Sequence, residues 1–161
     1  MSQPEYRTGL GWDVHRIAPG RPLILGGVTI PSDFGLDGHS DADILLHAVT
    51  DALLGAAALG DIGMHFPDTD PQWKGAASAQ FLENAVALVK QAGFSLVNVD
   101  TTVILEKPKL KNYREAIQES LARSLGLPLE RVSVKFKTAE GVGPVGQGLS
   151  AEAQAIVTIA R

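Results

Sequence analysis

The chain contains no cysteine among its 161 residues. This absence excludes disulfide bonds, thiolate nucleophiles and zinc sites that depend on cysteine. Any metal ion would have to bind histidine, aspartate or glutamate. Long apolar runs are also missing, because the most apolar stretch, ILLHAVTDALLGAAALG, is interrupted by His47 and Asp51 and is too short to span a bilayer. The sequence therefore predicts no membrane partner.

Positive charge is scarce as well. The chain has 14 Lys and Arg residues against 18 Asp and Glu residues, a formal net charge of −4. That balance argues against nucleic-acid binding, which needs a basic patch. It does not exclude a phosphorylated ligand, because metals and helix N-termini can hold phosphates without surplus cations. No targeting peptide precedes Tyr6, so we expect a cytoplasmic protein.

The hydrophobic patterns predict an alternation of strands and helices over one domain, residues 1–161. Strands are predicted over 6–15, 22–30 with a bend at Gly26-Gly27, 94–106, 131–138 and 151–160. Helices are predicted over 41–59, 77–91 and 112–126, and loops over 31–40, 60–75 and 139–148. The fold class is therefore α+β in two layers, a mixed sheet of four to five strands with helices packed on one face.

An aspartate and a histidine, Asp13 and His15, lie two residues apart in the first predicted strand, within GLGWDVHRIAPG. Side chains at positions i and i+2 share a face of a strand, so the pair points the same way. An isolated pair of this kind is also typical of an exposed polar strand face.

A second histidine raises the odds of a metal site. On the first predicted helix, capped by Ser40 or Asp41, three side chains fall at i, i+4 and i+8: Asp43, His47 and Asp51. A ligating histidine usually donates its other ring N–H to a carboxylate such as these. If the strand packs against this helix, His47 meets the strand pair. Two nitrogens and one oxygen suit Zn²⁺ or a similar divalent ion with one open position. The spacing alone fits a structural histidine equally well.

Polar groups that could hold phosphates lie in the connecting segments. His39 and Ser40 precede the predicted helix, where unpaired N–H groups favour an anion, although the same residues suit a plain N-cap. The long loop 60–75 contains three aspartates: Asp61, Asp68 and Asp70. A loop of this length is more often functional than idle.

Cations cluster near two later strand ends. EKPKLK contains three lysines around Pro108: Lys107, Lys109 and Lys111. Such a run is usually a solvated surface. KFKTAEGVG ends a strand with a cation, a hydroxyl and a carboxylate: Lys137, Thr138 and Glu140. This second set could hold a phosphate and a further divalent ion.

The chain resembles the 2-C-methyl-D-erythritol 2,4-cyclodiphosphate synthase family of the non-mevalonate isoprenoid route. The resemblance runs from GWDVHRI to the last strand. Its most specific pieces are DVH, LILGGVTIP, GLDGHSDADILLHAVTDALLGAAALGDIGMHFPDTDPQWKGA, EKPKL and KTAE. It implies a divalent-metal-dependent phosphorus–oxygen lyase. Its substrate would be 4-diphosphocytidyl-2-C-methyl-D-erythritol 2-phosphate, whose 2-phosphate attacks its own β-phosphorus and releases CMP.

The resemblance also implies roles for individual residues. Zinc would bind Asp13, His15 and His47, and Glu140 would help hold a Mg²⁺ or Mn²⁺ on the diphosphate. His39 and Thr138 would act as the catalytic pair that orients the phosphates. The substrate-binding set would be Asp13, His15, His39, Ser40, Asp61, Ile62, Gly63, Phe66, Pro67, Asp68, Thr69, Asp70, Pro108, Lys109, Leu110, Lys137, Thr138, Ala139 and Glu140.

Within that set, the resemblance implies a division of the substrate. Asp61 and Gly63 would contact the ribose, and residues 66–70 the methylerythritol. Pro108 and Lys109 would form the cytosine pocket, with Lys109 near the diphosphate. The family is a homotrimer with each active site between two subunits.

Two other functions use the same metal-binding residues. A zinc-dependent phosphate-ester hydrolase would employ metal-bound water and would not need the segments of Lys109 and Glu140. A non-catalytic metal-stabilised binding protein would fill the open metal position with a protein group. No further His or Asp is obviously placed to do so.

One stretch departs from the family pattern. In GVGPVGQGLSAEA, Pro144 stands where the family usually has Phe, and Gln147 stands near an Arg position. Those family residues line a cavity on the trimer axis that has been proposed to bind an isoprenoid diphosphate. Neutral donors bind phosphate more weakly than guanidinium does. We therefore expect such binding to be weak here, or the axis to be closed by Val142 and Val145.

Overall fold

Five strands form the central sheet of the computed structural model, which describes residues 3–161. They are β1 (Tyr6–Pro19), β4 (Phe34–Leu36), β5 (Ser95–Ile104), β6 (Val132–Lys137) and β7 (Ser150–Ala160). Their spatial order is β4-β1-β7-β5-β6. The β5–β6 pair is parallel and the other neighbours are antiparallel. A separate hairpin joins β2 (Leu23–Leu25) to β3 (Val28–Ile30). The prediction of a mixed sheet and of a bent strand pair is confirmed.

The helices are α1 (Ile44–Ala56), α2 (Ile62–His65), α3 (Ser78–Gln91), α4 (Arg114–Leu125) and α5 (Gly143–Gly146). Short 3₁₀ turns lie at Pro71–Trp73, Lys111–Tyr113 and Leu129–Arg131. In the part of the chain from residue 3 onward, every helix is too short or too polar to cross a membrane.

The sheet has one covered face and one open face. Alternate residues of β7, from Ala151 to Ile159, are buried in the core with α1 and α3. The opposite face of β1 and β7 leaves Leu10, Trp12 and Ile156 exposed. The predicted packing of helices on one face is therefore confirmed.

A seam of small residues brings α1 directly onto β1. A Cβ atom at Gly11 would lie 1.8 Å from the carbonyl oxygen of Ala48, and one at Gly9 would lie 2.0 Å from that of Ala52. The two backbones can approach this closely only because neither glycine has a side chain. Asp13 and His15 lie further along the same face of β1. The close packing of β1 on α1 therefore brings them near His47, a side chain of α1.

The predicted start of α1 is wrong. Ala42 has a φ of 56°, in the left-handed region that a right-handed helix cannot contain. The cap is Asp43 rather than Ser40 or Asp41, and its carboxylate accepts a hydrogen bond from the Leu46 N–H at 3.1 Å. This carboxylate takes up one N–H group of the helix N-terminus, and the binding of a phosphate next to His39 stays a prediction.

Three predicted loops contain regular structure. Segment 31–40 includes β4, which pairs with Ile17, Ala18 and Pro19 and so extends β1 beyond its predicted end at residue 15. Segment 60–75 includes α2, and segment 139–148 includes α5. Both helices have four residues, too few to show the periodicity on which helix prediction depends.

Candidate metal centre and substrate cavities

Two adjacent elements supply the metal cluster. Asp13 and His15 lie on the helix-facing side of β1, and His47 lies on α1. Nδ1 of His47 is 3.0 Å from Oδ2 of Asp13, and Nδ1 of His15 is 3.2 Å from the same oxygen. One ligand atom from each residue lies within 4.8 Å of the other two. These three residues could together hold a metal ion, as the sequence predicted.

The chemistry of the cluster fits a cation. Nδ1 of His15 is buried, yet it has no hydrogen-bond partner, because its contact with Asp13 is not aligned for one. A buried ring nitrogen without a partner is costly, and a metal ion would satisfy it. Two imidazole nitrogens and one carboxylate oxygen are a donor set typical of zinc.

The electrostatics of the cluster favour positive charge between its members. Burial by itself would raise the pKa of Asp13, but the adjacent imidazoles of His15 and His47 outweigh it and lower that pKa. Burial would lower the pKa of His47, but the carboxylate of Asp13 prevails and raises it. Asp13 is therefore anionic and draws a cation toward the two rings.

The expected carboxylate partners of His47 are not its partners. Asp43 is fully buried and accepts from the backbone N–H groups of Gly26 and Gly27 at 2.9 and 2.7 Å. Burial raises the pKa of Asp43 to about 6. Asp51 accepts instead from the N–H of Ile62 at 2.8 Å. These two carboxylates hold neighbouring turns in place and do not touch the imidazole.

The second nitrogen of His47 is held by contacts that sequence analysis missed. Nε2 of His47 lies 2.7 Å from Oγ of Ser78, the first residue of α3. The Ser78 hydroxyl donates in turn to Oδ1 of Asp41. Ser78 is 31 positions from His47 along the chain, and no local pattern connects them. The nearest signal was the run of polar residues in HSDAD, which contains Asp41.

A cavity of about 930 Å³ opens over the metal cluster and is here called the metal cavity. Its lining includes many of the predicted substrate-binding residues: His15, His39, Ser40, Ile62, Gly63, Phe66, Pro67, Asp68 and Thr69. Five residues of the lining were not predicted: Asp37, Gly38, Trp73, Lys74 and Phe81. The rings of Phe66 and Phe81 stack with their centroids 4.9 Å apart, so one wall of the cavity is apolar and aromatic.

The segment that carries His39 is clamped from outside. Arg21 donates to the carbonyl oxygens of Gly38 and Ser40 at 2.9 and 3.0 Å, on either side of His39. Gly38 packs so closely on His15 that a Cβ there would lie 3.1 Å from the ring atom Cδ2. The clamp fixes the rim of the metal cavity against one of its ligands.

Two predicted aspartates act as helix caps. Asp61 accepts from the N–H of Met64 at 2.9 Å and begins α2. Asp70 accepts from the N–H of Gln72 at 2.9 Å and begins a 3₁₀ turn. Neither is among the residues that line the metal cavity.

A second cavity, of about 310 Å³, is here called the basic cavity. It contains five predicted residues: Pro108, Lys109, Leu110, Lys137 and Thr138. It also contains Lys111, Arg114 and Phe136, which were outside the predicted site. The Arg114 guanidinium lies over the Phe136 ring, 5.2 Å from its centroid. A cation above an aromatic ring offers both charge and a flat surface to a ligand.

Glu140 and Ala139 lie in the turn after β6, outside the lining of both cavities. Glu140 is exposed, has a φ of 54°, and donates its N–H to Oγ1 of Thr138 at 3.2 Å. The N–H of Ala139 donates to Glu106 at 2.5 Å. Within residues 3–161, the cluster of Asp13, His15 and His47 is the only group of three metal-binding side chains. A second ion at Glu140 would need ligands from elsewhere.

Comparison with known proteins gives a consistent result. Residues 6–160 match the model of the YgbB family. The chain is 69% identical over 155 residues to the 2-C-methyl-D-erythritol 2,4-cyclodiphosphate synthase of Solibacter usitatus, which covers 96% of this chain and 98% of that protein.

Two solved structures share the fold. The bifunctional IspDF from Campylobacter jejuni superposes with a TM-score of 0.94 at 42% identity, covering 98% of this chain and 43% of that one. The chain thus spans less than half of that bifunctional protein. A CDP-bound form of a 2C-methyl-D-erythritol-2,4-cyclodiphosphate synthase superposes with a TM-score of 0.88 at 46% identity, covering 94% of this chain and 98% of that one.

Proposed function

Since the chain belongs to the YgbB family, we propose that it converts 4-diphosphocytidyl-2-C-methyl-D-erythritol 2-phosphate to 2-C-methyl-D-erythritol 2,4-cyclodiphosphate and CMP. The observation that carries the proposal is the cluster of Asp13, His15 and His47 beside a cavity large enough for a sugar phosphate. We propose that residues 1–161 form one domain with this activity and that it operates in the cytoplasm.

The reaction needs no covalent enzyme intermediate. An oxygen of the 2-phosphate attacks the β-phosphorus, the bond from that phosphorus to the α–β bridging oxygen breaks, and CMP leaves with the bridging oxygen. The protein's task is to align the two phosphates and to stabilise the charge that moves between them. A chain without cysteine is suited to such a reaction.

The metal cavity would hold the reacting end of the substrate. Asp13, His15 and His47 would bind zinc or a similar divalent ion. Such an ion, when bound, polarises a phosphoryl oxygen. His39, which lines this cavity on the clamped rim, would orient the attacking phosphate. The apolar wall of Phe66 suits the methyl-bearing carbon chain, and Asp68 offers acceptors to its hydroxyl groups.

The basic cavity would hold the cytidine end. The CDP-bound relative supports a cytidine nucleotide as ligand. Lys109 and Lys137 supply positive charge for the diphosphate, Thr138 supplies a hydroxyl, and the pocket between Leu105 and Phe136 suits a planar base. Glu140 follows the cavity residue Thr138 by two positions and would help hold Mg²⁺ or Mn²⁺ on the diphosphate.

We further propose a homotrimer in which the metal cavity of one copy meets the basic cavity of the next. The open face of the sheet supports association. It exposes Leu10, Trp12 and Ile156 side by side, since Leu10 and Ile156 are paired across β1 and β7. A contiguous exposed apolar patch usually marks an interaction site. The weak binding of an isoprenoid diphosphate near Pro144 and Gln147 stays a prediction.

Product analysis in ¹⁸O-labelled water tests the function against the hydrolase alternative. The cyclase releases CMP and a cyclic diphosphate, and neither gains solvent oxygen. A metal-dependent hydrolase would give a linear product that contains ¹⁸O. A chain that only binds metal would leave the substrate intact. Mass spectrometry distinguishes the three outcomes, and either of the last two contradicts the proposal.

A further inference from the structure

His47 faces a different partner with each of its ring nitrogens. Nδ1 lies 3.0 Å from Oδ2 of Asp13 in the metal cluster, and Nε2 lies 2.7 Å from Oγ of Ser78. A neutral imidazole carries one proton. The partner of Nε2 therefore decides whether Nδ1 offers a metal a lone pair or a proton.

The direction of the hydrogen bonds follows from the number of protons available. A carboxylate can only accept, so the single hydroxyl proton of Ser78 goes to Oδ1 of Asp41. The Ser78 backbone N–H, 3.2 Å from Oδ2, goes to the same carboxylate. The Ser78 oxygen can then only accept from His47. The ring proton that faces Ser78 thus stays on Nε2. A metal ion in the cluster would replace the hydrogen bond between Nδ1 and Asp13, and the Nδ1 lone pair would then face the ion.

We propose that Asp41 and Ser78 are positioning residues that make His47 a metal ligand: Asp41 orients the Ser78 hydroxyl, and Ser78 keeps the ring proton on Nε2. Neither residue is in the lining of the metal cavity. The inference rests on the proposed metal centre. It adds to that centre a chain of hydrogen bonds from Asp41 through Ser78 to His47, here called the relay.

The burial of the relay supports a specific role. Ser78 is fully buried, so its hydroxyl cannot turn to water for a partner. The preceding residue, Ala77, caps α3 without a side-chain hydrogen bond, and Asp41 takes over that task through the Ser78 N–H. One carboxylate thereby orders both the start of α3 and the orientation of a ligand on α1.

Two variants test the relay. Ser78→Ala removes the acceptor of the Nε2 proton. Asp41→Asn is nearly isosteric, but its amide can donate to Ser78, which frees the hydroxyl proton to donate to Nε2 and moves the ring proton to Nδ1. Both variants should bind zinc about 10- to 100-fold more weakly, the usual effect of losing an outer partner of a ligating histidine. Competition with a chromophoric chelator measures the affinity.

A matched control removes a buried hydroxyl elsewhere on α1. Thr50 is fully buried and donates to the carbonyl oxygen of Leu46 within the helix. Thr50→Val should keep the wild-type zinc affinity even if its melting temperature falls. Circular dichroism of all three variants identifies any that do not fold.

Nitrogen-15 NMR of the His47 ring in the zinc-loaded wild-type chain decides the matter independently of any variant. We expect the proton on Nε2 and the metal on Nδ1. The reverse assignment, or unchanged zinc affinity in a folded variant, overturns the relay and leaves the metal centre standing. A wild-type chain that takes up no divalent ion overturns the centre and the relay together.

Discussion

The two cavities hold their charges in opposite ways. In the metal cavity, Asp13 and His47 lie 3.0 Å apart, are half-buried, and are fixed by the contact of α1 with β1. In the basic cavity, Lys109, Lys137 and Arg114 are exposed at the surface. Groups of the first kind are arranged before any ligand arrives, whereas exposed cations attract a ligand through charge that salt screens. The metal cavity thus has its ligand-binding groups in fixed positions, whereas the basic cavity attracts a ligand over a longer distance through its charge.

The largest effect should come from breaking the prearranged half. His47→Ala should lose zinc and lower activity by more than about 100-fold, because a direct ligand matters more than an outer partner, whose loss costs about 10- to 100-fold in affinity. The fold should persist, since His47 lies at the edge of the core. Metal analysis and circular dichroism check both points. Stoichiometric zinc in the purified variant would contradict the assignment.

The next test asks whether the two halves meet between copies of the chain. His47→Ala chains and Lys109→Ala chains should each be nearly inactive. After 1:1 subunit exchange, about one quarter of the inter-subunit sites would combine two intact halves, and activity should recover to that level. The activity of the exchanged mixture is compared with the activity of each variant measured alone. A monomer by light scattering, or no rescue after proven exchange, would refute the inter-subunit site.

A smaller effect is expected at Glu140, which lies outside both cavities. Glu140→Gln keeps the shape and removes the charge, so turnover should fall roughly tenfold, or about 1.4 kcal/mol of transition-state stabilisation. The Mg²⁺ concentration needed for half-maximal activity should rise, while the zinc content stays the same. Glu130→Gln, in the 3₁₀ turn Leu129–Arg131, is the matched control. An unaltered Mg²⁺ requirement would count against a second ion here.

A change at Asp43 should have the smallest effect on activity, and we expect it to alter the stability of the fold instead. Burial raises the pKa of Asp43 to about 6 from an ordinary 3.8, so the folded chain binds an extra proton between these values. The stabilising contribution is complete below pH 4 and is lost as the pH rises through 6, a change of roughly 3 kcal/mol in the free energy of unfolding.

Asp43→Asn should remove that part of the pH dependence. Asp13, whose lowered pKa acts in the opposite direction, is present in both proteins and cancels in the difference. Denaturant unfolding from pH 4 to 7 measures it, with the exposed Asp33→Asn as control. Parallel stability curves for Asp43→Asn and wild type would show that Asp43 is not the source. Loss of the pH dependence in Asp43→Asn would instead assign it to Asp43, which holds backbone turns, and not to the metal cluster.

Most of the fold was predictable because long elements repeat their pattern several times. The helix 77–91 and the strand 151–160 match α3 and β7 to within one residue at each end. The elements that were missed have three or four residues, such as β4 and α2, and depend on partners distant in sequence. The end of β1 and the start of α1 were also misplaced.

The metal cluster was predictable for a related reason. The face shared by Asp13 and His15 follows from strand geometry, and His47 lies on a helix with clear periodicity. Ser78 could not be found in this way, because its contact with His47 exists only once α3 has packed beside α1. Likewise, Phe136 becomes part of a cavity only when Arg114 folds over it.

The backbone contact between β1 and α1 also constrains the evolution of this sequence. At ordinary core positions substitutions can accumulate, because a smaller side chain can be compensated by a larger neighbour. At Gly9 and Gly11 the neighbours are carbonyl groups of Ala52 and Ala48, which every amino acid carries, so no compensating substitution exists. Any residue larger than glycine would push α1 outward and pull the imidazole away from its carboxylate. In a directed-evolution library aimed at a different metal, ligands and rim are open to variation, but this seam should be kept as it is.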